Sequence, residues 1–199
     1  GYVNLSESST ANCYIVNQGG SYRISAVRGN DASNMLLTAK TAEVLWESFG
    51  SSLSIGAGAL IKSVIYKDGY ICFKTNDYFK KGNAVVAAKD ESGNILWSWH
   101  IWITDQPQEH VYNNDAGTLM DRNLGATSAE PNIYSVGLMY QWGRKDPFMG
   151  PSSFDQNREF AKSSITWPTP VASDPSTGTV EYAIANPTTF ITYNENNKG

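Results

Sequence analysis

One stretch of the chain constrains its fold more than any other: two β-prone runs are separated by the dipeptide Asp68-Gly69. The runs, Ile61–Lys67 and Tyr70–Thr75, are rich in β-branched and aromatic residues, which favour strands. Aspartate and glycine tolerate the positive φ angles that both central positions of a type I′ turn require. The pattern therefore predicts a β-hairpin with a two-residue turn.

A second hairpin is predicted immediately after the first. Residues 83–89 are β-prone, Gly93 suits the left-handed position of a longer hairpin loop, and residues 95–104 form the returning strand. Both faces of the returning strand are substantially apolar: one carries Ile95, Trp97, Trp99, Ile101 and Ile103, and the other carries Leu96, Ser98, His100, Trp102 and Thr104. Such a strand needs a packed layer on each side, so we predict a central strand whose three tryptophans lie in the core.

The composition changes after residue 107, where glycine, proline, asparagine and serine become frequent. We therefore place a domain boundary near this residue. The prediction is a mainly β protein, with an Ig-like β-sandwich in residues 1–107 and an irregular α+β lobe in residues 108–199.

Two short helices are predicted within the lobe. The first covers residues 135–142, in which three apolar residues have the spacing of one helical face: Val136, Met139 and Tyr140. This prediction places Trp142 in the core at the end of the helix. The second helix is predicted for Val180–Ala185.

The distribution of charge and the length of the apolar runs exclude two classes of partner. Charged residues make up 17% of the chain, against roughly 25% in an average protein, and the net charge is −4. The longest basic runs are the pairs Lys80-Lys81 and Arg144-Lys145, whereas binding to a phosphate backbone needs a clustered positive patch. No apolar run approaches the ~20 residues of a membrane-spanning helix. We therefore expect neither a nucleic-acid partner nor a membrane span.

Few residues are candidates for catalysis. His100 lies between two tryptophans of the returning strand and is predicted to be structural, whereas His110 lies in a polar segment and is predicted to be solvated. Residues 113–115 and Asp121 offer oxygen ligands for Ca²⁺, but their spacing fits no known calcium loop. We therefore assign no catalytic residue, no cofactor and no metal site.

The chain holds two cysteines, Cys13 and Cys72. They form either a disulfide, which is common in compact secreted domains, or two reduced and half-buried thiols. Sequence spacing does not fix the distance between the two Cα atoms, so both interpretations stay open.

Aromatic residues make up 12% of the chain and suggest a ligand platform. Sugar-binding surfaces use exposed rings, because the C–H faces of a pyranose pack well on flat aromatic side chains. Trp167 precedes Pro168 in a loop-like segment, and Tyr182 and Tyr193 lie near it in sequence. Trp167, Tyr182 and Tyr193 are therefore the candidate ligand-binding residues.

Residues 141–148, Gln-Trp-Gly-Arg-Lys-Asp-Pro-Phe, form the most distinctive string of the chain. Arg144 is expected to pair with a buried carboxylate, such as that of Asp121 or Asp146, and to pin the irregular lobe as a structural clamp. In the alternative interpretation, Arg144 and Asp146 line a binding site.

Five strings of the chain resemble fimbrillin-type surface proteins of gut Bacteroidetes, and they occur in the same order as in that family. The strings are residues 11–16 (Ala-Asn-Cys-Tyr-Ile-Val), residues 94–102 (Asn-Ile-Leu-Trp-Ser-Trp-His-Ile-Trp), residues 121–126 (Asp-Arg-Asn-Leu-Gly-Ala), residues 138–148 (Leu-Met-Tyr followed by the string above) and residues 181–187 (Glu-Tyr-Ala-Ile-Ala-Asn-Pro). The second half also resembles the major paralogous domain of cell-surface proteins, which is similar to the C-type-lectin-like fold.

The resemblance implies export as a lipoprotein to the extracellular or outer-membrane surface, and a role in cell adhesion or as a fimbria-associated subunit. Its expected partners are other surface or fimbrial subunits, or a host glycan or protein. Family members continue into a further cysteine-containing segment, so the lobe is expected to be incomplete at its C-terminus and Cys13 to lack its usual partner.

Two alternatives belong to other functional classes. The first is a carbohydrate-binding module for host or dietary glycans, which an exposed row of rings would favour. The second is an enzyme, which would need a pocket that holds a carboxylate pair, or His110 beside a strongly perturbed neighbour.

Overall fold

The computed structural model describes residues 1–50, 53–54, 58–149 and 166–195. Strands dominate these ranges, which confirms the prediction of a mainly β protein. In chain order the elements are β1 (Val3–Asn4), β2 (Cys13–Val16), β3 (Ser21–Ser25), β4 (Thr41–Phe49), β5 (Leu53–Ser54), β6 (Ile61–Lys67), β7 (Tyr70–Thr75), β8 (Gly82–Lys89), β9 (Ile95–Ile103), β10 (Glu109–Val111), β11 (Thr118–Met120), β12 (Met139–Tyr140), β13 (Pro147–Phe148), β14 (Val171–Ala172), α1 (Val180–Ala185) and β15 (Ile191–Thr192).

The strands up to β9 form two sheets. Sheet A has the strand order β1-β3-β7-β6, and sheet B has the order β2-β9-β8-β4-β5. The two N-terminal strands run parallel to their neighbours, β1 to β3 and β2 to β9, whereas the other pairs of these sheets are antiparallel. The parallel edge of sheet B places Cys13 opposite His100.

Both predicted hairpins are confirmed. Strands β6 and β7 pair antiparallel around Asp68 and Gly69, whose φ angles of 51° and 81° are those that a type I′ turn needs. Strands β8 and β9 also pair antiparallel, and Gly93 in their loop has a φ of 84°. The local turn chemistry thus sets the register of the strands that form the core.

The main core lies between the two sheets. Sheet A contributes Ile24, Ile71 and Phe73, while sheet B contributes Val86 and Trp99, and all five side chains are at most 1% exposed. Alternation along β3, β7, β8 and β9 places these residues on the inner faces. The Ig-like description of this pair of sheets stays a prediction.

The outer face of sheet B is covered by the segment that follows residue 107. The Trp102 indole Nε1 donates a hydrogen bond to the Ala126 carbonyl oxygen at 3.0 Å, and the Trp46 and Trp167 rings lie 6.0 Å apart. Strand β9 is therefore packed on both faces, as predicted. The predicted core tryptophans are confirmed, with exposed fractions of 9%, 0% and 1% for Trp97, Trp99 and Trp102.

The helix predicted for residues 135–142 is wrong. The chain forms a short 3₁₀ turn at Ile133–Ser135 and then the strand β12, which pairs antiparallel with β13. Between them Gly137 has a φ of 81°, and a Cβ at this position would lie 2.6 Å from the Leu124 carbonyl oxygen. A left-handed residue in close contact with another segment does not fit inside a helix.

Two further predictions concern the same lobe. Trp142 was predicted to lie in the core, but it sits in the turn between β12 and β13 with its side chain 99% exposed, so this prediction is wrong. The second helix is confirmed as α1, and the Thr179 hydroxyl caps it by accepting from the Tyr182 amide at 3.1 Å.

The boundary near residue 107 stays a prediction, as does the C-type-lectin-like character of the lobe. Arg122 crosses this boundary, since its guanidinium bonds both Asp105 and Asp121. Within the described ranges, no helix has the length and apolar character required to cross a lipid bilayer.

Candidate functional site

A buried polar network joins strand β9 to the string of residues 141–148. The Lys145 ammonium donates to the Ser98 carbonyl oxygen at 2.9 Å and to Asp146 Oδ1 at 2.8 Å, and the Ser98 hydroxyl donates to the same Oδ1 at 2.6 Å. Lys145 Nζ also lies 4.3 Å from the centre of the Trp97 ring. Burial lowers the pKa of Lys145, and the negative Asp146 opposes that shift. The network anchors the lobe to sheet B.

Arg144 is the second anchor, and its partners differ from the prediction. One Nη nitrogen bonds the Thr189 carbonyl and the Gln141 side-chain oxygen, and the other bonds the Asn186 carbonyl at 2.8 Å and the Ala183 carbonyl at 3.4 Å. Carbonyls at and beyond the end of a helix lack intrahelical partners, so they need such donors. Arg144 therefore pins α1 and the chain after it to the β12–β13 turn.

The predicted pairing of Arg144 with Asp121 or Asp146 is corrected by these contacts. Asp146 pairs with Lys145, and Asp121 pairs with Arg122, whose Nε lies 2.7 Å from Asp121 Oδ1. Hydrogen bonds from Arg122 hold the pKa of the Asp121 carboxyl below its usual value. The sequence could not distinguish these neighbours, because adjacent basic residues offer the same chemistry.

The predicted ligand platform is brought together only in part. The half-buried Trp167 ring lies 5.8 Å from Phe148, which in turn lies 5.6 Å from Phe190. These three rings line an open cavity of about 350 Å³ together with Pro168, Thr169, Pro170 and Thr188. Tyr182 is half-buried on α1 and Tyr193 is 71% exposed beyond β15, and neither lines this cavity.

A thiol, an imidazole and an amide lie in a row on the outer face of sheet B. Cys13 Sγ lies 3.2 Å from His100 Nδ1, and His100 Nε2 lies 2.7 Å from Asn83 Oδ1. Asn83 Nδ2 donates to the carbonyl oxygens of Gly50 and Gly125, so the Asn83 oxygen must face the histidine. His100 therefore carries its proton on Nε2, and the thiol donates to Nδ1.

This row is desolvated. Burial raises the pKa of the Cys13 thiol to about 12 and lowers the pKa of His100 to about 3. Both groups are therefore neutral at pH 7, whereas nucleophilic cysteine chemistry requires the thiolate. Cys13 and Cys72 are free thiols, which agrees with the second interpretation of the pair, and His100 is the structural histidine that was predicted.

The residue that sequence reasoning missed is Trp142. Its turn borders a cavity of about 330 Å³ lined by Gln141, Trp142, Gly143, Arg144, Ser173, Gly178, Thr179, Val180, Ala183 and Ile191. The signal that could have found it is Gly143, which has a φ of 74° and lies between two β-prone pairs, as hairpin turns require.

The chain was compared with protein-family models, with curated proteins and with solved structures, and none of the three comparisons gives a match. Among the residues that the structure describes, no three histidine, cysteine or acidic side chains are grouped as a metal ion would need.

Proposed function

We propose that this protein is a non-catalytic cell-surface protein that serves adhesion or belongs to a fimbria-associated assembly. It acts at the extracellular or outer-membrane surface, as a lipoprotein of the fimbrillin type, and binds other surface subunits or host molecules. The observation that carries the proposal is the exposed apolar surface of the lobe. Most of the large apolar side chains that are exposed in the described ranges follow residue 107: Val111, Tyr112, Leu119, Met120, Leu124, Ile133, Tyr134, Met139, Tyr140, Trp142, Val180, Phe190 and Tyr193.

The β10–β11 hairpin concentrates this surface. All six residues of its two strands are exposed, and the pairing of Glu109 with Met120 and of Val111 with Thr118 places Val111 (66% exposed) and Met120 (43% exposed) on one face of the hairpin. Contiguous exposed apolar patches mark interaction sites on proteins whose cores are otherwise well packed. The neutral Cys13–His100 pair supports the non-catalytic part of the proposal, because it lacks the thiolate that a nucleophile needs.

Beads coated with the full chain test this function by their binding to immobilised mucin and extracellular-matrix proteins. We expect saturable binding that falls at least fivefold in a Val111→Ser, Met120→Ser double variant. The matched control is Leu37→Ser, since Leu37 is 82% exposed but lies outside the lobe. Absence of binding by the folded wild type, or an equal loss in the control, would contradict the proposal.

A carbohydrate-binding module is the second candidate, and the open cavity beside Trp167 favours it. Three aromatic rings, Phe148, Trp167 and Phe190, border this cavity, and aromatic faces suit the C–H faces of sugars. A glycan-array screen of the wild-type chain and Trp167→Ala tests it. We expect saturable binding that the substitution abolishes, with Trp167→Phe as the variant that keeps the packing against Trp46.

A further inference from the structure

Trp142 differs from every other tryptophan of the chain. The other five are buried or half-buried, whereas the Trp142 side chain is 99% exposed. Leaving an indole ring in water forgoes the favourable free energy of burying a large apolar surface. Neither face of this ring has an aromatic or cationic neighbour among the described residues.

The turn that carries Trp142 is rigidly supported. The Gln141 side-chain oxygen accepts from the Ile191 amide and from Arg144 Nη1, both at 3.2 Å, and the Arg144 amide donates to the Gln141 carbonyl at 3.1 Å. Gln141 and Arg144 thus hold the turn from both sides of the indole. These bonds fix the backbone position of Trp142 at the edge of the cavity.

The cavity beside the ring is small and has both polar and apolar walls. Its volume of about 330 Å³ lies at the lower end of the range for small-molecule sites, which suits one ring better than an extended chain. Ser173 lines it, and its hydroxyl has no hydrogen-bond partner among the residues that the structure describes. Gly178 allows this hydroxyl to approach, since a Cβ there would lie 2.7 Å from Ser173 Oγ.

Within the described ranges, the one charged side chain of the cavity has no free Nη donor for an anion. Arg144 is the only charged residue among the described residues that line it, and both of its Nη nitrogens are bonded to carbonyl oxygens. The two-pronged donor that would bind a carboxylate or sulfate is therefore occupied. The remaining donor, Arg144 Nε, is buried.

We propose that Trp142 and this cavity form a binding site for a single neutral sugar ring. The C–H face of the sugar stacks on the Trp142 indole, and its hydroxyls bond the Ser173 hydroxyl and the adjacent polar wall. This inference rests on the carbohydrate-binding candidate above, but it places the ring platform at Trp142 instead of Trp167.

The test uses the full chain and a panel of neutral methyl hexosides, followed by isothermal titration calorimetry, with glucuronic acid as the anionic comparison. For a ligand of this size we expect a dissociation constant on the order of 1 mM for the best neutral hexoside. Trp142→Ala should weaken binding at least tenfold, and Trp142→Phe should keep part of it. Because Trp142 is exposed, neither substitution should change the melting temperature.

Tyr78→Ala is the matched control, because Tyr78 is an 82% exposed ring remote in sequence from the turn. Binding that is lost in Trp167→Ala and kept in Trp142→Ala would overturn the inference while the carbohydrate function stands. Stronger binding of glucuronic acid than of any neutral hexoside would overturn the proposed ligand class. If no hexoside and no array glycan binds the wild type, both the inference and the carbohydrate function fail, and the bead assay alone decides adhesion.

Discussion

The hydrogen-bond partners of His100 restrict it to one protonation state. Its side chain is 2% exposed and lies between Cys13 and Asn83. Asn83 donates both of its amide hydrogens to backbone carbonyl oxygens. These bonds fix the histidine in its neutral form with the proton on Nε2. The cost of charging it in place is what lowers its pKa to about 3.

Protein stability should therefore fall as the pH drops below 6.5. The unfolded chain binds a proton at His100 near the ordinary pKa of 6.5, whereas the folded chain binds one only near pH 3. Proton binding therefore stabilises the unfolded state relative to the folded state as the pH falls below 6.5. We expect the free energy of unfolding to decrease by roughly 2 kcal/mol between pH 7 and pH 5. Urea denaturation at the two pH values measures the difference.

Two variants assign this loss to His100. His110→Gln should keep the decrease, because His110 is exposed, whereas His100→Gln should be less stable at pH 7 but show little change down to pH 5. The ordinary pKa values of carboxyl groups, about 4, lie below this window, and Glu47, whose pKa is raised by burial, would change the stability in the opposite direction as the pH falls. A decrease of equal size in both variants would assign the effect to other groups.

The hairpins show which elements a sequence specifies by itself. Asp68-Gly69 and Gly93 determine their turns through residues within a few positions, so β6 to β9 could be predicted. Residues 135–142 have the spacing of a helical face, yet Gly137 turns left-handed because its backbone packs against Leu124. That contact is between segments, and tertiary contacts override local propensity where the two conflict.

The sequence identified some residues of the candidate site but not their partners. The sequence identified Trp167 and Arg144 as notable residues, but the partners of Arg144 are carbonyls about 40 residues later in the chain. Backbone carbonyls exist at every position, so no residue type marks which of them will lie near the guanidinium. Trp142 is exposed because it lies in the β12–β13 turn. The apolar spacing of residues 135–142 predicted a helix instead of this turn.

Replacing Arg144 should loosen α1 and the strand β15. Arg144→Ala leaves several carbonyls without a donor, and we expect it to lower the free energy of unfolding by roughly 3 kcal/mol. Arg144→Lys should recover only part of this, because an ammonium lacks the planar fork that reaches separate acceptors. Amide exchange should accelerate most in residues 180–192.

The control for this prediction is Arg28→Ala, since Arg28 is an exposed arginine in the first half of the chain. It should leave both the stability and the exchange rates of residues 180–192 unchanged. An Arg144→Lys variant as stable as the wild type would mean that charge alone, and not the guanidinium fork, holds this region.

At the scale of the whole molecule, the lobe and the two sheets share buried polar contacts. Asn83 bonds a carbonyl on each side of the boundary, those of Gly50 and Gly125, and Arg122 is 4% exposed between two aspartates. A buried amide or guanidinium that loses half of its partners is left with unsatisfied donors. Separation of the lobe from sheet B would therefore destabilise both parts.

We expect the chain to unfold in one cooperative transition. Amide exchange in β3 and β7, which reports on sheet A, and amide exchange at residues 180–192, which reports on the lobe, should give the same free energy of unfolding. Asn83→Ala should lower both values together. A lobe that exchanges through a separate opening of much lower free energy would instead show that residues 108–195 are an independent unit.

The parallel pairing of β2 with β9 sets the order in which the protein forms during synthesis. Cys13 meets His100, 87 residues later, and loop closure of this length is slow compared with the local hairpins. At translation rates of about 5–20 residues per second, β2 waits on the order of ten seconds for its partner to be made. During that interval the nascent chain carries an unpaired strand, whose free N–H and C=O groups can pair with another polypeptide.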